Sequence, residues 1–149
     1  MVQKTTSVLI VEEHPTMHQS LCTAIASESD FRVLKTSLGF QEIIWRLRVM
    51  PPSDDVFAIA EMPEIILLAP GNPGDVDLQA IQKLRKNFPE IGILALTRDD
   101  VAGQARDALQ YGAHRVLAKF TSRAILLNAL RALKADCLPN SLLQENTNI

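Results

Sequence analysis

Long hydrophobic runs are missing from this chain. Its most apolar stretches are as short as Ile65–Ala69 (IILLA), far below the roughly 20 residues that a membrane-spanning helix needs. Cysteine is scarce: Cys22 and Cys137 are the only two, with no CxxC pair and no metal-ligand spacing. That excludes a disulfide scaffold and a zinc site, and a reduced cytoplasmic interior is the simple expectation. An excess of charge of one sign is also lacking. Fifteen Lys and Arg face 17 Asp and Glu, for a net charge of −2, and the basic residues are scattered. No electrostatic footprint for nucleic acid and no polybasic membrane anchor results. The opening segment Met1–Ser7 has neither the apolar core nor the cleavage site of a signal peptide. No Gly-rich phosphate loop follows the first apolar run, which argues against a nucleotide enzyme. No nucleophile–base pair for hydrolysis is visible. Internal repeats are absent. The expectation is a soluble, cytoplasmic protein that is not an enzyme and has no catalytic residue, no metal and no cofactor. It should touch no membrane and, as this chain alone, no nucleic acid.

What is present is a globular composition, 47% hydrophobic and 21% charged over 149 residues. That length suits one domain able to bury roughly 70% of its unfolded surface. Strand-like and helix-like runs alternate from end to end. Ser7–Val11 (SVLIV) reads as a buried parallel strand. Pro15 opens a helix, where a missing N–H costs nothing, and Met17, Leu21, Ala24 and Ile25 share one face. Arg32–Thr36 is a weaker second strand. A helix follows from Gly39 and Phe40 to about Arg48, burying Ile43, Ile44 and Leu47. Ile65–Ala69 is the third strand and Leu78–Phe88 the next helix, with Leu78, Ile81 and Leu84 inward. Ile91–Leu96 is the fourth strand, Val101–Tyr111 a helix closed by Gly112, and Arg115–Ala118 a short fifth strand. Thr121 or Ser122 caps a last helix running to about Ala135.

Five β-then-α units imply a doubly wound α/β fold, a five-stranded parallel sheet with helices on both faces and right-handed crossovers. The flavodoxin-like (βα)5 strand order 2-1-3-4-5 is expected, with any site beyond the carboxyl ends of the first, third and fourth strands. Residues 1–137 form this domain, and 138–149 are expected to be a flexible C-terminal tail. Pro51–Glu61 (PPSDDVFAIAE) is longer than a helix-to-strand connection needs. It reads as a surface loop or an extended helix end; a partner-binding flap, or an extra strand using Val56, Phe57 and Ile59, is the alternative.

Several segments carry a resemblance. They are VLIVEEHP (Val8–Pro15), PEIILLAPGNPG (Pro63–Gly74), FPEIGILALT (Phe88–Thr97) and YGAHRVLAKF (Tyr111–Phe120). In this order and near these spacings they resemble the receiver domains of two-component response regulators, over residues 7 to about 135. His14-Pro15, with Met17 and Leu21, is similar to receivers that precede LuxR-type helix-turn-helix domains. The resemblance implies a phosphorelay chemistry. An aspartate takes the phosphoryl group from a phosphohistidine donor, an acidic pair holds Mg²⁺, a lysine and a hydroxyl bind phosphoryl oxygens, and an aromatic on the fifth strand turns inward.

Carried over residue by residue, Glu12 and Glu13 match the acidic pair, Thr97 the hydroxyl and Lys119 the lysine. Ala69 stands at the phosphoacceptor position, where it has no nucleophile. Glu13 is one methylene longer than the usual aspartate. Val116, at the aromatic position, is too small for a rotamer switch, and Phe120 replaces a common proline. Three losses in one mechanism imply a pseudo-receiver that has given up phosphotransfer. A second register would make Val56–Ala60 the third strand and put Ala60 or Glu61 at the acceptor position. It supplies no aspartate either. Asp75 and Asp77 read as caps of the following helix.

For Glu12 and Glu13 the plain reading is an acidic pair salt-bridged to Lys119, since two carboxylates without a third make a poor Mg²⁺ or Ca²⁺ cage. Thr97 reads as a satisfied hydroxyl. His14, His18 and His114 read as surface residues, and Cys22 as an exposed helix position. On the last helix, Leu126, Leu130 and Leu133 form the core stripe. Ala124, Ile125, Ala129 and Ala132 suggest a second apolar stripe, either the border of a broad core face or a dimer or partner interface. The functional expectation is a receiver that signals by protein–protein contact, through the last helix or the α4-β5-α5 face. The alternatives are the regulatory half of a LuxR-type transcriptional regulator whose DNA-binding part is absent, and a module binding a small ligand in the acidic pocket.

Overall fold

The computed structural model describes residues 5–53, 55–70, 77–98 and 103–137. The expected tail, Asp75 and the start of the helix expected from Val101 lie outside these residues. The described chain runs β1 (Thr6–Val11), α1 (Pro15–Ala26), β2 (Phe31–Leu34), α2 (Phe40–Val49) and β3 (Ile65–Leu68). It continues through α3 (Leu78–Asn87), β4 (Gly92–Thr97), α4 (Gln104–Tyr111), β5 (Arg115–Ala118) and α5 (Arg123–Cys137). All strand pairs are parallel, in the order β2-β1-β3-β4-β5. This is the expected doubly wound sheet.

The apolar strands are continuous because both faces are covered. Alternate residues divide between two layers. Leu9, Val11, Ile66, Leu68, Ile93 and Ala95 pack under α2, α3 and α4. Val8, Ile10, Ile65, Leu67, Leu94 and Leu96 pack under α1 and α5. Close approach of α5 to β4 depends on Gly92, where an added Cβ would lie 2.1 Å from Leu133 Cδ2. Gly112 closes α4 at φ +128°, a conformation that L side chains rarely adopt.

The helix caps follow side-chain chemistry. Asp77 Oδ1 accepts the Ala80 N–H at 2.9 Å and caps α3. Of the two expected caps of α5, Ser122 takes the role, its Oγ accepting the Ile125 N–H at 3.2 Å. The N-terminal half of the chain is stitched to α5 by charge. Arg131 binds Asp30 (2.8 Å) and Glu28 (2.8 Å) and stacks 5.7 Å from the Phe31 ring. Arg123 also binds Glu28 and the Ser27 hydroxyl. Hydrogen bonds from Arg131 hold both carboxyls below their ordinary range.

The structure corrects several readings. β2 ends at Leu34 and leaves Lys35 and Thr36 outside the sheet, because the Thr36 hydroxyl donates to Phe57 O (2.5 Å) and accepts the Leu38 N–H (3.1 Å). The third strand is Ile65–Leu68, which removes the register built on Val56–Ala60. The long connection is neither a strand among its described residues nor a plain surface loop. Val56 and Phe57 are buried in the α2-α3-α4 layer, with Phe57 6.1 Å from the Phe88 ring in a tilted pair. With Phe57 at Thr36 and Glu61 bonded to Arg32 (2.5 Å), the segment crosses β2 in the opposite direction. Ala58, at φ +52°, makes the turn.

On α5 the second stripe is interrupted. Ala129 is buried with Leu126, Leu127, Leu130 and Leu133. Together these residues span roughly 160° of the helix circumference, a wider face than the expected stripe. Ala124 and Ile125 remain exposed and Ala132 half-buried.

Candidate functional site

Four strand ends meet at the carboxyl edge of the sheet. β1 delivers Glu12 and Glu13, β3 delivers Ala69, β4 ends in Thr97, and β5 delivers Lys119. Backbone bonds fix these ends to one another. Ala69 N–H donates to Val11 O at 3.0 Å, and Lys119 N–H donates to Thr97 O at 2.8 Å. Thr97 and Ala69 are buried.

The two glutamates part company. Glu12 turns inward, its side chain fully enclosed, and Lys119 Nζ lies 3.5 Å from its Oε1. Its other oxygen accepts the His14 backbone N–H at 3.2 Å and faces the His14 ring Nδ1 at 3.4 Å. Oε1 has no hydrogen bond, so Lys119 is held to it by charge at slightly more than hydrogen-bond length. Glu13 turns outward and accepts from Gln41 Nε2 of α2 at 2.8 Å. The pair is therefore split, and only Glu12 faces the lysine. Successive residues leaving a strand point to opposite sides, and that period of two is the signal the sequence held.

At the acceptor position, Ala69 contributes a methyl to the α1-α5 layer, packed among Ile10, Leu67 and Leu96. The position carries neither a nucleophile nor a metal ligand. No group of three His, Cys, Asp or Glu residues among the described residues could hold a metal ion. The one inward carboxylate already has a cation beside it, so the residues present do not fit a Mg²⁺ site. Val116 is half-buried on β5, against the α2-α3-α4 layer and paired in register with Ala95.

Two histidine and cysteine readings change. His114 is half-buried: its Nδ1 accepts the Ile93 N–H at 3.0 Å, and its Nε2 lies 2.8 Å from Arg85 Nη1. Burial lowers its pKa, and Arg85 lowers it further. Cys22 is half-buried on α1, 3.6 Å from His18 Nδ1. Burial raises its thiol pKa, with Lys35 pulling the other way. A raised thiol is a poor nucleophile. Phe120, noted in the sequence as replacing a common proline but given no role there, directly follows Lys119 and is 79% exposed, the most exposed large hydrophobic residue among those described. A large aromatic in a turn was its sequence signal.

Known proteins share this architecture. No protein-family model matches the chain. A curated relative, the transcriptional activator protein ExaE of Pseudomonas putida, is 22% identical over 128 residues, 86% of this chain. The chain spans only 55% of that relative's length. Among solved structures, a LuxR-family two-component response regulator from Aurantimonas sp. SI85-9A1 aligns with a TM-score of 0.69. It is 20% identical over 97% of both chains. A CheY-like response regulator receiver domain protein from Methanospirillum hungatei JF-1 aligns with a TM-score of 0.66 at 15% identity, over 89% of this chain and 96% of that one. No helix among the described residues is long and apolar enough to cross a membrane. In strand order, helix placement and the convergence of four strand ends, the chain has the fold of the response-regulator receiver domains.

Proposed function

We propose that the chain is a receiver domain of the two-component type that acts in signalling by protein–protein contact, without accepting a phosphoryl group. The observation that carries this reading is the pairing of a buried methyl at Ala69 with a carboxylate, Glu12, already matched to Lys119. Phosphoryl transfer needs an oxygen nucleophile in line with the donor and a cation for the moving charge. Here an alanine leaves the acceptor position without a nucleophile, and the lysine is engaged by Glu12. Val116 adds to the case, since a valine has no ring to swing between two positions. Glu12, Thr97 and Lys119 then serve as a fixed, charge-paired clasp of the strand ends.

The test is incubation with acetyl phosphate, and separately with beryllofluoride, in the presence of Mg²⁺. Intact mass should show no phosphoryl adduct, and the ¹⁵N spectrum should show no saturable shifts. Stoichiometric phosphorylation would overturn the reading.

The contact surface in this proposal is the start of α5, where Ala124 and Ile125 are exposed, together with Phe120 just before it. Ile125 is 51% exposed, so Ile125→Glu should leave the unfolding midpoint unchanged while weakening self-association by about tenfold or more. An unchanged sedimentation profile at concentrations where the wild type dimerises would remove this helix from the interface.

A second reading, the regulatory receiver of a LuxR-type transcriptional regulator, is favoured by the match to a longer transcriptional activator, of which this chain covers 55%, and by the His14-Pro15 start of α1. In that reading the DNA-contacting work belongs to sequence outside this chain.

A further inference from the structure

The sheet register opens a cleft that borders the strand-end site at Glu12 and Glu13 and extends from it between α1 and α2. The β1–β2 ladder stops at Leu9 opposite Leu34, whereas β1 stays paired with β3 two residues further, to Val11 opposite Leu68. Past Leu34 the chain is drawn away by the Thr36 hydroxyl bonds. The outer edge of β1 at Ile10 and Val11 therefore faces a cleft of about 740 Å³ between α1 and α2 instead of another strand. That volume is in the range of small-molecule sites, and the carboxyl end of a parallel sheet is where such folds commonly take ligands.

The charged groups lining this cleft are in different states. Glu12 is matched to Lys119 and the His14 N–H. Glu13 accepts from Gln41. Lys35 makes no ion pair among the described residues. It lies near enough to Cys22 to act on the thiol. On the α2 side, Leu34, Leu38, Phe40 and Ile43 supply an apolar wall. Among the described residues the cleft thus offers one cation without an ion pair, Lys35, on the other side of the cleft from the Gln41-bonded Glu13, and a hydrophobic surface beside it.

We propose that this cleft binds a small organic carboxylate with an apolar body, the carboxylate on Lys35 and the body against Leu34, Leu38 and Phe40. The affinity is set jointly by the charge and the wall, so neither a free anion nor a neutral apolar molecule fills the site equally well.

The test uses the full ¹⁵N-labelled chain titrated with 3-phenylpropionate, and in parallel with 3-phenylpropylamine and 3-phenylpropanol. The carboxylate should give saturable amide shifts at Cys22, Lys35, Leu38 and Phe40, with the amine and alcohol weaker by about tenfold. Lys35→Gln, at an exposed position outside the sheet, should weaken the carboxylate by a similar factor while leaving the rest of the spectrum intact. Cys22→Phe fills the cleft from α1 and should abolish the shifts. Absence of saturation with the carboxylate, an equal response to the amine, or full retention in Lys35→Gln would each overturn the proposal.

Discussion

Lys119→Met should destabilise the fold by about 3–5 kcal/mol, the usual cost of leaving a buried charge without its partner. Glu12 has no exposed side-chain surface, and the Lys119 ammonium lies 3.5 Å from its Oε1. With the lysine gone, the carboxylate keeps, among the described residues, the His14 contacts alone. The two single changes are not equivalent to the double change. Glu12→Leu with Lys119→Met replaces the ion pair by apolar groups of similar volume, and such replacements are commonly neutral or stabilising. The double variant should therefore recover most of the loss. Urea unfolding of the four proteins at pH 7 gives the coupling energy directly. If Lys119→Met falls within about 0.5 kcal/mol of wild type, Glu12 is not held by this lysine and the clasp reading fails. Activity assays alone would not reveal this role, because the pair acts through the geometry of the strand ends.

Phe57→Ala should be of similar size, about 3–5 kcal/mol, as for other buried aromatic truncations. Phe57 has no exposed surface, and its ring packs against Phe88 at the end of α3. A connection that merely passes over the surface would tolerate the change at little cost. Deletion of the surrounding segment should fail in the same way, because Val56 and Phe57 supply side chains to the layer that α2, α3 and α4 cover. Phe57→Leu keeps most of the volume and should lose less, which separates cavity formation from a specific ring contact. Thermal or urea unfolding reads both variants. A loss under about 1 kcal/mol for Phe57→Ala would show that the segment can leave the core without consequence.

How much of this was legible beforehand depends on how far each residue's surroundings lie along the chain. β1 and β3 were readable because strands covered on both faces carry unbroken apolar runs. Their helices were readable from spacing, with Ile43, Ile44 and Leu47 on α2 buried as expected. The site residues were readable as an ordered set at strand ends, and their convergence followed from the topology. The parting of Glu12 from Glu13 was present in the period of two, but the family pattern of an acidic pair masked it. Val56 and Phe57 were ambiguous because a short apolar run fits a strand, a helix end or a core plug equally well. His114 was misread because its neighbours, Arg85 and Ile93, come from other elements. Ala129 stayed open between core border and interface because an alanine is compatible with both sides of a face boundary; it lies on the core side. The width of that boundary is set by the sheet beneath it.

The stitching of Arg131 and Arg123 to Glu28 and Asp30 joins residues about a hundred positions apart. A growing chain cannot make these contacts until residues 123–131 have been synthesised. Until α5 arrives, Leu94 and Leu96 of β4, the part of this layer that α5 covers, lack their cover. Folding to the stable state therefore waits on the last helix, and its rate is governed by a long loop closure rather than by the local β–α units. A chain stopped before residue 123 has the sheet's pattern but lacks that cover. Such a fragment is a candidate for capture by chaperones or proteases, not a smaller working domain.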